Sequence, residues 1–264
     1  TTPVTVIGLS QSVRKVVGGA SFTCAISAAN ALTCWGKNDL GQLGNSSTAS
    51  TSVPVNVTGL GSLVDDVTLG GGFACASKIT GSVLCWGING SGQLGIGVTS
   101  VRSSPSDVIE LNSQSQKIYA GSDHACAQSM SGEIKCWGNN GDGQLGDGTN
   151  QSQNIPVNVV GLSGVTQVSA GASHTCALNF SQGAKCWGGN YYNQLGDGTE
   201  QSRNTPVNVI GLSSGVQSIA TGLNHSCVLT TYGSVKCWGR NNFGQLGDGS
   251  TNDRSQPVNV TNLY

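Results

Sequence analysis

The chain is poor in charge. Only 9% of its 264 residues are Asp, Glu, Lys or Arg, against about a quarter in an ordinary soluble domain, and 12 basic and 13 acidic side chains leave a net charge of −1. That excludes a general nucleic-acid binder or a protein held on anionic lipid, because both need a basic patch. There is no apolar run of about 18 residues or more, so the sequence predicts no membrane-spanning helix. It lacks the close Cys-x2–4-Cys pairs of zinc sites, the Cys-x-x-Cys of redox centres, the Gly-x-Ser-x-Gly elbow, the metalloprotease helix and the phosphate loop. No catalytic constellation emerges, and the expectation is a chain with no enzymatic activity, no metal and no cofactor. An initiator Met and a signal-peptide pattern are also missing, so Thr1 reads as the start of a processed chain or an excised segment.

What the chain does have is a repeat. Its five tryptophans fall at positions 35, 86, 137, 187 and 238, a period of 51 residues with one step of 50. Each sits in Cys-Trp-Gly followed by a Gln-Leu-Gly, first as Cys34-Trp35-Gly36 running into Gly41-Gln42-Leu43-Gly44. A second Cys always lies ten residues upstream, which uses all ten cysteines. A fixed period of this size signals a repeat architecture. Counted from the recurring Pro-Val segment the units run 3–53, 54–104, 105–155, 156–205 and 206–256 in one domain. A further Pro-Val strand is left over at 257–264.

Each unit reads as four strands. Pro-Val-x-Val is an edge strand, because proline costs no ladder bond there. A short Val-rich alternation closed by Gly (Gly18, Gly70, Gly121, Gly171, Gly222) is an inner strand. The two Cys segments form a hairpin. Opposed residues in such a hairpin stand close enough for Cys24–Cys34, Cys75–Cys85, Cys126–Cys136, Cys176–Cys186 and Cys227–Cys237 to bridge. Alternation turns each Trp to the face opposite its Cys, toward the neighbouring unit. The fold class is all-β.

The motif carried by Gly171, His174, Thr175, Ala177, Leu178, Trp187, Gly188, Asn190, Gln194, Leu195, Gly196, Asp197, Gly198, Thr199 and Pro206 resembles the regulator of chromosome condensation repeat family. The resemblance covers essentially the whole chain and implies a β-propeller of four-stranded blades, usually seven. Five units leave three arrangements open: a closed five-bladed ring, part of a longer ring or array, or a head-to-tail assembly using the spare strand.

His124, His174 and His225 share a repeat position with Phe22 and Phe73 and read as packing rather than ligands. Asp147, Asp197 and Asp248 precede Gly in turns and lack the alternating oxygen ligands of a calcium loop. Asn45, Asn89 and Asn150 open sequons in expected loops and are candidate glycosylation sites. Tyr191, Tyr192 and Phe243 are the aromatics on the variable tips after Trp-Gly and form a candidate partner surface. Five disulfides point to an oxidising compartment. The expectation is therefore a secreted structural or adhesive protein. It would act through protein contacts that include its own copies at the terminal Pro-Val strands, and assemble into an extracellular fibre. The alternative is a monomeric extracellular binding module, lectin-like with a carbohydrate ligand or inhibitor-like. Nucleotide exchange on a small GTPase, implied by the resemblance, comes third.

Overall fold

The computed structural model describes residues 2–9, 12–111 and 115–261. It contains five four-stranded antiparallel sheets, each a propeller blade. Blade one is built from Val13–Gly18, Phe22–Ser27, Leu32–Gly36 and Thr51–Asn56, in that order across the sheet. Blades two to five begin at Val64–Leu69, Ser115–Ala120, Val165–Ala170 and Val216–Thr221. They end at Arg102–Asp107, Gln153–Asn158, Arg203–Asn208 and Arg254–Asn259. Consecutive inner strands touch one another, and one shallow depression is lined by Gly18, Gly70, Gly121, Gly171 and Gly222. The inner strands thus stand around a common axis with the Pro-Val strands outermost.

Each blade takes its fourth strand from the Pro-Val segment that opens the next sequence unit. Arg254–Asn259 is accordingly the outer strand of blade five, paired with Val235–Gly239. This corrects the frame at both ends: the carboxyl-terminal Pro-Val strand is used, while Pro3–Val6 forms no strand. Residues 262–264 of the expected leftover strand lie outside the described residues.

The Cys hairpins follow the expected register. Cys24 opposes Cys34, and the other four pairs are equivalent. All five are disulfides with Cα–Cα distances of 4.0–4.1 Å, the close approach of a non-hydrogen-bonded antiparallel pair. Glycine after each Trp is required where the chain leaves the sheet. Gly36 has φ +113° and a Cβ there would stand 2.7 Å from the Phe22 Cα.

Neighbouring blades are locked by one repeated device. The indole N–H of Trp86 donates to the Gln42 carbonyl (3.0 Å), Trp137 to Gln93 (2.9 Å), Trp187 to Gln144 (3.0 Å) and Trp238 to Gln194 (2.9 Å). These four tryptophans are fully buried, each reaching back to the blade before it. Backbone bonds tie the same loops to the next outer strand, as from Ser46 to Ser103 and Gly198 to Ser255. Trp35 is the exception. It is half-buried, and among the described residues no carbonyl receives its N–H. The lock between blade five and blade one is not made, so the five blades form an open arc rather than a closed five-bladed ring.

Candidate functional site

The loops between Trp and the outer strand organise one end of the arc. Each is built on a buried asparagine: Asn38, Asn89, Asn140, Asn190 and Asn241, all 0% exposed. Asn190 Oδ1 accepts the Leu195 N–H (3.0 Å), while its Nδ2 donates to Asp197 Oδ1 and to the carbonyls of Thr199 and Gln201. A side-chain amide can satisfy several backbone groups at once, which a compact loop without sheet pairing requires. Sequence reasoning took Asn190 only as part of a motif. The signal was present, since Asn stands three residues after every Trp.

This corrects one glycosylation candidate. Asn89 is one of the buried five, and its Nδ2 donates to the Val98 and Ser100 carbonyls, so no glycan can be attached in the folded chain. Asn45 is partly exposed and accepts a bond from Asn38. Asn150 is exposed, with Nδ2 on the Gly141 carbonyl.

The turn aspartates are consumed by their own loops. Asp197 accepts from Thr199 and, at 3.0 Å, from the Arg203 Nε. Burial works against its ionisation, but the Thr199 bonds and the Arg203 guanidinium outweigh it and hold its pKa below the usual carboxylate range. The Ser250 hydroxyl and then Arg254 bring Asp248 down to about 2. Asp147 accepts from Thr149 and Asn140. Among the described residues no three His, Cys, Asp or Glu side chains group as metal ligands.

Two of the three histidines, His124 and His174, are inter-blade clasps. His124 Nε2 lies 2.8 Å from Thr175 Oγ1, and His174 Nε2 lies 3.0 Å from Ser226 Oγ. Each hydroxyl donates onward to the Gln144 or Gln194 carbonyl, so the imidazole Nε2 carries the proton and donates. Burial pushes the pKa of His124 down to about 4 and that of His174 down to about 3. Both are neutral, fully buried packing groups, not ligands or bases.

The aromatic tips divide. Tyr191, 69% exposed, donates its hydroxyl to Asp142 of the preceding blade at 3.0 Å. That bond raises its pKa. The Arg240 guanidinium carbon of the following blade stands 4.7 Å from the centre of the Tyr192 ring. Tyr191 and Tyr192 therefore belong to one charged and aromatic strip running over blades three, four and five. Phe243, 84% exposed, lines a small hollow on blade five together with Arg240, Leu223 and His225, at the end of that strip.

The pattern of the RCC1-like domain matches residues 1–264. The chain belongs to the RCC1-like domain family. The ultraviolet-B receptor UVR8 of Arabidopsis thaliana is 30% identical over 254 residues, covering 94% of this chain and 47% of that protein. A probable E3 ubiquitin-protein ligase, human HERC4, is 34% identical over 250 residues, covering 93% of this chain and 19% of the relative. This RCC1-like chain thus spans less than half the length of these relatives. The crystal structure of human WBSCR16 superposes with a TM-score of 0.84 at 26% identity, over 95% of this chain and 67% of that one. Yeast RCC1 (Prp20) of Saccharomyces cerevisiae shares the fold with a TM-score of 0.63 at 18% identity, over 95% of this chain and 77% of that one.

These likenesses correct the expectation of a secreted structural or adhesive fibre. The proteins named are a receptor, a probable ligase, and a chain described through its binding to Gsp1p and histones; none is named as a fibre component. The extracellular placement falls with it. Its physical basis was the cysteine pairing, and the hairpin register places those pairs together whatever the compartment. Self-assembly through the terminal strands loses its basis too, because Arg254–Asn259 already has its partner.

Proposed function

We propose that this RCC1-like chain is a non-catalytic protein-binding scaffold whose partner docks on the blade end carrying the Tyr191–Tyr192 strip. The observation that carries the reading is the cross-blade chain of Asp142, Tyr191, Tyr192 and Arg240. It holds exposed tyrosine and half-exposed arginine side chains in place, and these are the residue types that most often anchor protein interfaces. Fixing them beforehand lowers the ordering cost of binding. A protein is favoured over a carbohydrate because the strip crosses three blades.

A small GTPase is the first partner to try, because yeast RCC1, which has this fold, is described with Gsp1p. The test is cross-linking of the tagged chain to identify its partner, followed by affinity measurement with variants at each end. Tyr191→Ala and Arg240→Ala should each weaken binding by roughly tenfold or more, the scale of an interface anchor. Phe180→Ala and Tyr232→Ala, exposed hairpin tips at the opposite end, should leave it unchanged. The reverse pattern would place the partner on the other end.

A further inference from the structure

At the loop end, the residue two places after a Trp meets the residue five places after the Trp of the preceding blade. Three junctions show the pair directly. Between blades one and two, Ile88 and Leu40 both lie 3.2–3.3 Å from a Cβ placed on Gly72. Between blades three and four, a Cβ on Gly189 would stand 3.3 Å from Asp142 Oδ2. Between blades four and five, the Arg240 guanidinium lies over the Tyr192 ring.

The two opposite charges of the strip therefore fall one blade out of step. Asp142 faces a glycine, and Arg240 faces an aromatic ring. Other charges of these loops are spent on their own loops, as Lys37 with Asp39, Asp197 with Arg203 and Asp248 with Arg254. Among the described residues, neither Asp142 nor Arg240 has an ion-pair partner. Asp142 Oδ1 accepts the Tyr191 hydroxyl, and its Oδ2 lies over Gly189. Arg203 and Arg254 donate to their aspartates, but among the described residues no acceptor takes a side-chain N–H of Arg240. Stacking orders a guanidinium while leaving its donor fork unspent. Both side chains are half-exposed.

We infer that the strip reads charge order. It takes a protein segment that sets a carboxylate on Arg240 and a Lys or Arg on Asp142, with apolar groups between them against the tyrosine rings. This rests on the docking reading above and names the chemistry of its partner. A guanidinium fork matches a carboxylate with two parallel bonds. A neutral segment would cover both charges and pair neither, which costs binding energy. A segment running the other way would set like charges together at both ends and be rejected. The orientation of the partner is thereby fixed.

The experiment selects a phage-displayed library of random peptides on the immobilised chain. Selected peptides are then synthesised and titrated by fluorescence anisotropy. Those whose binding is lost in Tyr191→Ala report on the strip. They should carry an acidic and a basic residue in one constant order. Arg240→Glu should weaken them by about tenfold or more. Changing the peptide's acidic residue to Lys should restore binding to Arg240→Glu and weaken binding to the natural chain. Asp142→Asn, which keeps an acceptor for the Tyr191 hydroxyl, should also weaken them, and the losses should shrink at high salt. Strip-bound peptides with no charge order, or with affinity unchanged in Arg240→Glu and Asp142→Asn, overturn the inference and leave the docking reading standing. A selection that yields no peptide lost in Tyr191→Ala contradicts the docking reading and the inference with it.

Discussion

A single repeated position shows how one side chain binds two blades. Replacing Trp187 by Phe removes the donor to Gln144 and leaves a space in a fully buried site. A lost buried hydrogen bond costs about 1–3 kcal/mol before any cavity cost. Trp187→Phe should therefore lower stability by roughly 2–4 kcal/mol in denaturant unfolding, whereas Trp35→Phe, with no carbonyl partner among the described residues, should cost well under half as much. The histidine clasps add a pH dependence. Burial lowers the folded-state pKa of His124 and His174 to about 4 and about 3, below an unfolded value near 6.5. Their contribution is complete above about pH 6.5 and is lost as the pH falls through that value toward the folded pKa, because the unfolded chain then binds protons that the folded chain refuses. The chain contains its own apolar version of the clasp. Phe22 and Phe73 face blades whose hydroxyl position is Ala74 or Ala125. His174→Phe with Ser226→Ala should flatten the stability profile between about pH 4 and pH 6.5; an unchanged slope there would assign the acid loss to other groups.

At the scale of the element, the hairpin and the loop do different work. Each disulfide closes a loop with a sequence separation of 10, worth about 2.5–3 kcal/mol in the chain-entropy account. Cys176→Ala with Cys186→Ala should cost about that much and leave the Tyr191–Tyr192 strip in place. Asn190→Ala should do the opposite. It strips the Leu195 N–H and two loop carbonyls of their partner, and should cost about 2–4 kcal/mol while loosening that strip. Amide exchange at Leu195 separates the two cases: protection should survive the Cys change and collapse with the Asn change. The hairpins were legible in the sequence because period-2 alternation and a constant Cys spacing determine a register. The Asn role was not, because a polar residue in a Gly-rich stretch reads equally well as a solvated loop, and only the folded loop shows which backbone groups would otherwise be orphaned. The same gap misassigned Asn89, which has a sequon and lies in a loop yet is wholly enclosed.

For the whole molecule, the repeat period and the family resemblance led correctly to blades but could not settle closure. Closure depends on whether the last Gln carbonyl meets the first Trp, a contact between residues 35 and 245 that no local pattern encodes. The compartment was misjudged for a related reason: cysteine spacing reports hairpin geometry and nothing beyond it. The account's central claim is an open arc held by four tryptophan locks with the fifth position unmade. Iodide quenching of the native chain tests it most directly. The account predicts that one tryptophan of five is accessible and that Trp35→Phe removes the accessible fraction. Five equally protected tryptophans would contradict it and mean that blade five closes on blade one.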